Sequence, residues 1–225
     1  MTRCIALLVG FILLTGCGGP KPAETVFVPD AVPDRNFNEE AENKAVELVK
    51  NLGGRCTRPK PGEAVCEITF KGVALKDADL DELKSFPNLT GLTIQDCPGF
   101  TGTGLKHLVH TPRLTLLTLA GKDILASALA ELTNTPKLRF VAVVRVQLAG
   151  DDLRHIAKLK ELQTLELVAT PLVETHLNPL DELPELMELY LKDTGLTREV
   201  AAAFANRVNG KKAKEKPRLE VTLQP

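Results

Sequence analysis

Few side chains in this 225-residue sequence are of the types that do chemistry, and their spacing narrows what they do. The four histidines are His107, His110, His155 and His176. His107 and His110 stand three apart, so one helical face would carry both. A zinc site wants three or four nitrogen, sulfur or carboxylate ligands within about 2.3 Å of the ion. His107, Glu131 and His155 recur at intervals of 24 residues. Helices about 10 Å wide would hold those repeats too far apart for both histidines to grip one ion. No metal is expected, and the histidines read as a solvated outer face. The acidic run Asp77 to Glu82 places Asp77 and Asp79 where a helix start favours negative charge, so it reads as capping. Glu166, Glu188 and Lys192 read as a surface ion-pair group.

The cysteines bound the covalent chemistry. There are five, at positions 4, 17, 56, 66 and 97. Cys56 and Cys66 flank a Pro- and Gly-containing turn, where two strands of a hairpin would bring them near each other. Outside the cytoplasm a disulfide between them is permitted; two buried free thiols is the alternative. No HExxH, GxSxG, CxxC, P-loop or EF-hand pattern occurs. Neither a catalytic group nor a cofactor is therefore expected. The tripeptide at Asn88 matches a glycosylation acceptor but lies at a strand start, and it is discounted.

The first residues carry an address. Arg3 precedes an apolar run from Cys4 to Leu14, too short to span a bilayer and of the length of a signal-peptide core. It ends in Leu14-Thr15-Gly16-Cys17. This resembles the lipobox of bacterial lipoprotein signal peptides. The resemblance implies cleavage after residue 16 and a diacylglycerol on the Cys17 thiol. Each buried methylene contributes about 0.8 kcal/mol, so two or three acyl chains hold a protein on a bilayer durably. Gly18, in place of Asp, allows an outer-membrane or cell-surface location. Residues 18–37 contain four prolines and two glycines and read as a tether. Extended at about 3.1 Å per residue, it would reach roughly 60 Å. Two alternatives are that Val26 to Val28 adds a strand, or that Phe27 or Phe37 folds back over the domain.

The elements that must position any site follow from a repeat. Val65, Leu89, Leu114, Leu138, Leu162 and Leu186 recur at intervals of 24, 25, 24, 24 and 24 residues. Three residues on stand Ile68, Leu92, Leu117, Val141, Leu165 and Leu189, and two further on Phe70, Ile94, Leu119, Val143, Leu167 and Leu191. Each unit opens as LxxLxL, a strand, and closes on apolar residues three apart, such as Leu105 and Leu108, a helical spacing. Pro87, Pro112, Pro136 and Pro184 punctuate the return. This resembles the leucine-rich repeat family over about residues 65–191, and its ribonuclease-inhibitor-like and F-box-type subclass most. The resemblance implies an α/β solenoid with a curved parallel sheet on the concave side and helices on the convex side. No F-box precedes the repeats, so no ubiquitin-ligase role is carried over. The family's Asn or Cys after the strand is replaced by Val73, Cys97, Lys122, Val146, Thr170 and Thr194, only some of which can bond the turn.

The expected organisation is a signal peptide (1–16), lipidated Cys and tether (17–37), cap helix and hairpin (38–64), repeats (65–196), and cap helix with last strand (197–225). In the first cap, Ala45, Val46, Leu48, Val49 and Leu52 would share a face, and Gly53 and Gly54 would stop the helix. In the last, Thr197 would be the N-cap and Gly210 the stop.

What remains is surface. Between core positions, each strand turns three residues outward. The middle of that face reads Leu116, Phe140, Ala120, Ala142, Val144 and Val168, with Tyr190 at its edge and charges beyond. An apolar patch with a polar rim is the layout of an interaction site. The net charge of -1 and aromatic content of 4% give no electrostatic or stacking case for nucleic acid. The expectation is a noncatalytic, membrane-anchored recognition or scaffold protein that takes a protein or peptide on Leu116, Phe140, Ala142, Val144, Val168 and Tyr190. The alternative is a small-ligand-binding or enzymatic protein with an unrecognised site.

Overall fold

A unit of 24 residues cannot bury its own apolar face, so neighbours must stack. The computed structural model describes residues 38–149, 151–213 and 216–224. Eight strands form one sheet in chain order: β1 (Arg55–Thr57), β2 (Glu67–Lys71), β3 (Gly91–Gln95), β4 (Leu116–Ala120), β5 (Phe140–Val144), β6 (Thr164–Val168), β7 (Glu188–Lys192) and β8 (Glu220–Gln224). β1 pairs antiparallel to β2, and every later pairing is parallel. Register follows the repeat without slip, as in Leu117↔Val141 and Val141↔Leu165. The architecture is the α/β leucine-rich repeat solenoid. The Leu and Val of the three strand rows are buried to 0–2% exposure from Val65 to Leu191 and make one continuous core.

The far side of each repeat departs from expectation. Four of its five elements are 3₁₀ helices: Asp77–Ser85, Thr103–His110, Ala126–Asn134 and Glu174–Glu182. Only α2 (Leu153–Ile156) is α-helical, over a single turn. Apolar residues three apart explain this, because a 3₁₀ helix has three residues per turn and eclipses i with i+3. Leu80 and Leu83, Leu105 and Leu108, and Leu129 and Leu132 all point inward and are buried.

Adjacent repeats are also bolted by polar groups. Asp79 caps its own segment by accepting from the Lys76 N–H at 2.7 Å. Asp77 instead reaches the next repeat, accepting from the Thr101 N–H and hydroxyl at 3.1 and 2.8 Å and from the Gly104 N–H at 2.7 Å. Burial pushes the Asp77 carboxyl up, but these hydrogen bonds outweigh it and hold the group below its ordinary range. The residue after each strand donates its N–H to the end of the next strand: Asp96 to Ala120, Arg145 to Val168, Ala169 to Lys192. That geometry places Asp96, Arg145, Ala169 and Asp193 at φ of 48 to 59°, in the left-handed region. Of the row that should bond the turn, Cys97 and Thr170 do so, to the carbonyls of Gln95 and Val168.

The ends are closed by helices. α1 (Glu39–Asn51) buries Ala45, Val46 and Val49 and stops at Gly53, whose φ is +81°. Leu48 is not on that face and is 39% exposed. Its place is taken by a residue that periodicity alone passes over. Glu42 is fully buried, and its two carboxylate oxygens accept from the Val65 N–H at 3.0 and 3.1 Å and pair with Arg58 at 2.6 Å. At the other end α3 (Arg198–Lys211) is capped by Thr197 and runs through Gly210, which does not stop it. Arg207 and Lys211 pair with Asp181, tying α3 to the last 3₁₀ segment.

Cys56 and Cys66 are not bonded to each other, and the Cys66 thiol donates to the Thr57 carbonyl at 3.5 Å. The hairpin register sets Cys56 opposite Ile68, not opposite Cys66, so of the two alternatives the structure has the unbonded one. Burial pushes the Cys56 thiol up to about 11. The signal peptide, Cys17, and the tether with Phe27 and Phe37 lie outside the described residues. No helix among the described residues is long and apolar enough to cross a membrane.

Candidate functional site

The sheet has two faces, and the core uses one. The other carries three cross-strand ladders that the pleat turns away from the core. The first runs Leu116, Phe140, Thr164, Glu188, Glu220. The second runs Thr118, Ala142, Glu166, Tyr190, Thr222, and the third Ala120, Val144, Val168, Lys192, Gln224. Neighbouring strands sit about 4.8 Å apart, so consecutive members touch. All six residues read from the sequence as partner-binding therefore lie on one open face, across four adjacent strands.

Their exposure is uneven, and here the sequence reading needs correction. Leu116, Phe140, Val168 and Tyr190 are half-buried. Ala142 and Val144 are each 3% exposed and Ala120 1%. These short side chains sit between larger ones along and across the strands. They form the floor of the patch, while the rings of Phe140 and Tyr190 stand as its contact surface.

The rim is charged. Asp96 and Arg145 form an ion pair across the ends of three strands. The expected group of Glu166, Glu188 and Lys192 is not an ion-pair cluster. Glu188 accepts from the Thr164 hydroxyl at 3.1 Å. Glu166 has no hydrogen bond or ion pair among the described residues. It is half-buried between Ala142 on β5 and Tyr190 on β7. Burial, and then the like charge of Glu188, push its carboxyl up to about 7. Burial likewise raises the Tyr190 hydroxyl, with Glu188 and Glu166 adding to it.

The helical side brings together one trio that the sequence reading missed. Asp81, His107 and His110 have ligand atoms within 4.8 Å of one another. The signal was available: Asp81 lies one repeat before His107, on the adjacent 3₁₀ segment. Tetrahedral nitrogen ligands on zinc sit about 3.3 Å apart, so the trio is open by comparison. Lys84 already neutralises Asp81, at 2.5 Å, and His107 approaches it at 3.4 Å. The ammonium pairs with Oδ2 of Asp81, and His107 faces Oδ1. His155 and His176 lie on other repeats and join no such group among the described residues.

No protein-family model matches the chain, and no curated protein matches its sequence. Among solved structures it is similar to an internalin C2 from Listeria monocytogenes, at 17% identity and a TM-score of 0.37, covering 81% of this chain and 92% of that one. It is also similar to the plant peptide hormone receptor RGFR1 in complex with RGF2, at 11% identity and 0.35, covering 77% of this chain and 36% of that one. A second internalin from the same organism, inlF, matches at 18% and 0.33, covering 65% and 50%. Likenesses this distant carry no argument; the fold rests on the repeat and the strand register themselves.

Proposed function

We propose that this protein is a noncatalytic recognition module that binds a protein or peptide on the open face of its sheet. The observation that carries the reading is the patch itself: Leu116, Phe140, Val168 and Tyr190 on four adjacent strands of one face, with Ala142 and Val144 among them. Exposed apolar contacts of this kind, ringed by charge, are how folded proteins meet partners. Aromatic side chains contribute most to such contacts because they bury much area with few rotors to order. The titratable groups of the face supply no nucleophile with its base. Noncatalytic binding accounts for them without further machinery.

The same reading includes the anchor. Cleavage before Cys17 and acylation of its thiol would leave residues 18–37 as the link between bilayer and repeats, outside the cytoplasm. Radiolabelled palmitate incorporation tests it: label is expected in the wild-type chain and lost in Cys17→Ala. Label that persists in the variant refutes the anchor.

The recognition face is tested by placing a photo-crosslinking amino acid at Leu116 or Tyr190 in the native cell. The exposed Val109 and Val173, on the helical side, serve as comparison. Discrete adducts are expected from the sheet positions and are expected to vanish when Phe140→Glu is added. Equal adducts from Val109 and Val173 would refute the assignment of the face.

A further inference from the structure

The chemistry of the partner follows from a carboxylate in the middle of this face that has no hydrogen bond or ion pair among the described residues. Glu166 lies in the middle ladder, flanked by uncharged Phe140, Ala142 and Val144 on β5, by Thr164 and Val168 on its own strand, and by Glu188, Tyr190 and Lys192 on β7. No cation has closed on it, and the neighbouring charge that acts on it has the same sign. A carboxylate so placed costs the fold more than an apolar residue of the same size would. A basic group arriving with a partner offsets that cost.

We infer that the open sheet face takes a peptide segment in which an arginine or lysine is flanked by apolar residues, the cation seating on Glu166 and the apolar side chains on Leu116, Phe140 and Val168. This rests on the recognition reading above and gives it a chemical class. Ala142, the cross-strand partner of Glu166, ends at Cβ and offers the carboxylate no polar contact. Phe140 and Tyr190, on the strands either side of Glu166, supply aromatic rings, which favour a cation. The aliphatic stem of a basic side chain would run over Val144 and Val168. Arginine is preferred to lysine, because a planar guanidinium both forks onto a carboxylate and stacks on a ring. The strands of the patch are already paired on both sides, so the segment lies across the strands and is read by its side chains. Glu166, Glu188 and Glu220 disfavour anionic lipid and nucleic acid as occupants by like charge.

The test uses the full chain in detergent and an immobilised library of eight-residue peptides. Flanking positions are mixtures of Leu, Val, Phe and Ala, and the central position is Arg, Lys, norleucine, Gln or Glu. At pH 8 the protein is expected on the Arg and Lys members at least about tenfold more tightly than on norleucine, the margin of a charge-assisted contact. Glu166→Gln is expected to abolish that preference without lowering its thermal midpoint. Lowering the pH from 8 to 6 is expected to weaken the wild type on Arg peptides and leave the variant unchanged. A preference that survives Glu166→Gln, or no preference for basic members, overturns the inference. If Phe140→Glu or Leu116→Lys still abolishes retention in that case, the recognition reading stands without it. Retention of no peptide also overturns the inference, and the crosslinking result then decides the broader reading alone.

Discussion

Replacing Glu166 with glutamine should make the unliganded protein more stable, by an amount that grows from pH 4.5 to 7 and is full above that. Glutamine keeps the shape of the side chain and removes the charge. The carboxyl titrates at about 7 in the fold against an ordinary 4.5. At about 1.4 kcal/mol for each factor of ten in proton affinity, that displacement is worth about 3 kcal/mol against the ionised form. Glu166 is half-buried, so solvent on the open side screens part of this, and about 2 kcal/mol is the working figure. The direction follows from proton counts. Between pH 4.5 and 7 the folded chain holds a proton at Glu166 that the unfolded chain has released. The wild type therefore loses stability as pH rises through that window, and the full penalty stands above it.

Thermal unfolding at a series of pH values measures this. For a domain of this size each kcal/mol moves the midpoint by about 2–4 °C, so Glu166→Gln should gain about 4–8 °C at pH 8. At pH 4.5 the two proteins should melt together to within about a degree. A variant less stable than the wild type at pH 8, or a gain that does not change with pH, would refute the reasoning. The first result would mean that Glu166 has a favourable partner in the fold, and the second that its charge is not what costs stability. A substitution that stabilises the protein while removing its preference for basic peptides is the signature of a residue kept for binding.

Two further substitutions test the frame that holds the face. Ala169 adopts φ of 48°, which costs a residue with a Cβ about 1 kcal/mol, so Ala169→Gly should raise stability in urea unfolding by about that amount, less the entropy glycine adds to the unfolded chain; a clear loss would refute the strain. Glu42→Ala should cost about 3 kcal/mol, because it strands the Val65 N–H and removes the carboxylate from Arg58, and amide exchange should rise first in β1 and β2; an effect below about 1 kcal/mol would show that the buried pair does not hold the cap.

The repeat made the sheet legible because its information is redundant. Six copies of LxxLxL fix which residues face the core, and a slip in any one would contradict its neighbours. That is why Leu116, rather than the adjacent Leu117, turns to the open face, as the register Leu116↔Phe140 has it. The helical side was less legible, because apolar residues three apart suit an α-helix and a 3₁₀ helix alike, and only packing chooses. Glu42 was passed over because a charged residue on an amphipathic helix is ordinarily read as solvent-facing, and its partners Arg58 and Val65 are distant in sequence. Gly210 lies inside α3 because a glycine stops a helix only where the chain turns left-handed after it, as at Gly53.

The ladders of the open face could be written down from the sequence, yet their depth could not. Ala142 and Val144 are as apolar as Phe140, and a list of outward positions ranks them equally. Side-chain length decides otherwise: short residues between long ones become floor, and a floor is what gives a neighbouring carboxylate an apolar wall. Glu166 is perturbed because its direct cross-strand partners are Ala142 and Tyr190 and not a lysine. Had the middle ladder placed Lys192 where Tyr190 stands, the pair would have closed within the sheet and left an inert surface. The choice of Tyr there, with Ala142 opposite, keeps the charge unpaired and reachable. An unpaired charge over an apolar floor selects the sign of what binds, while the rings beside it supply the contact area.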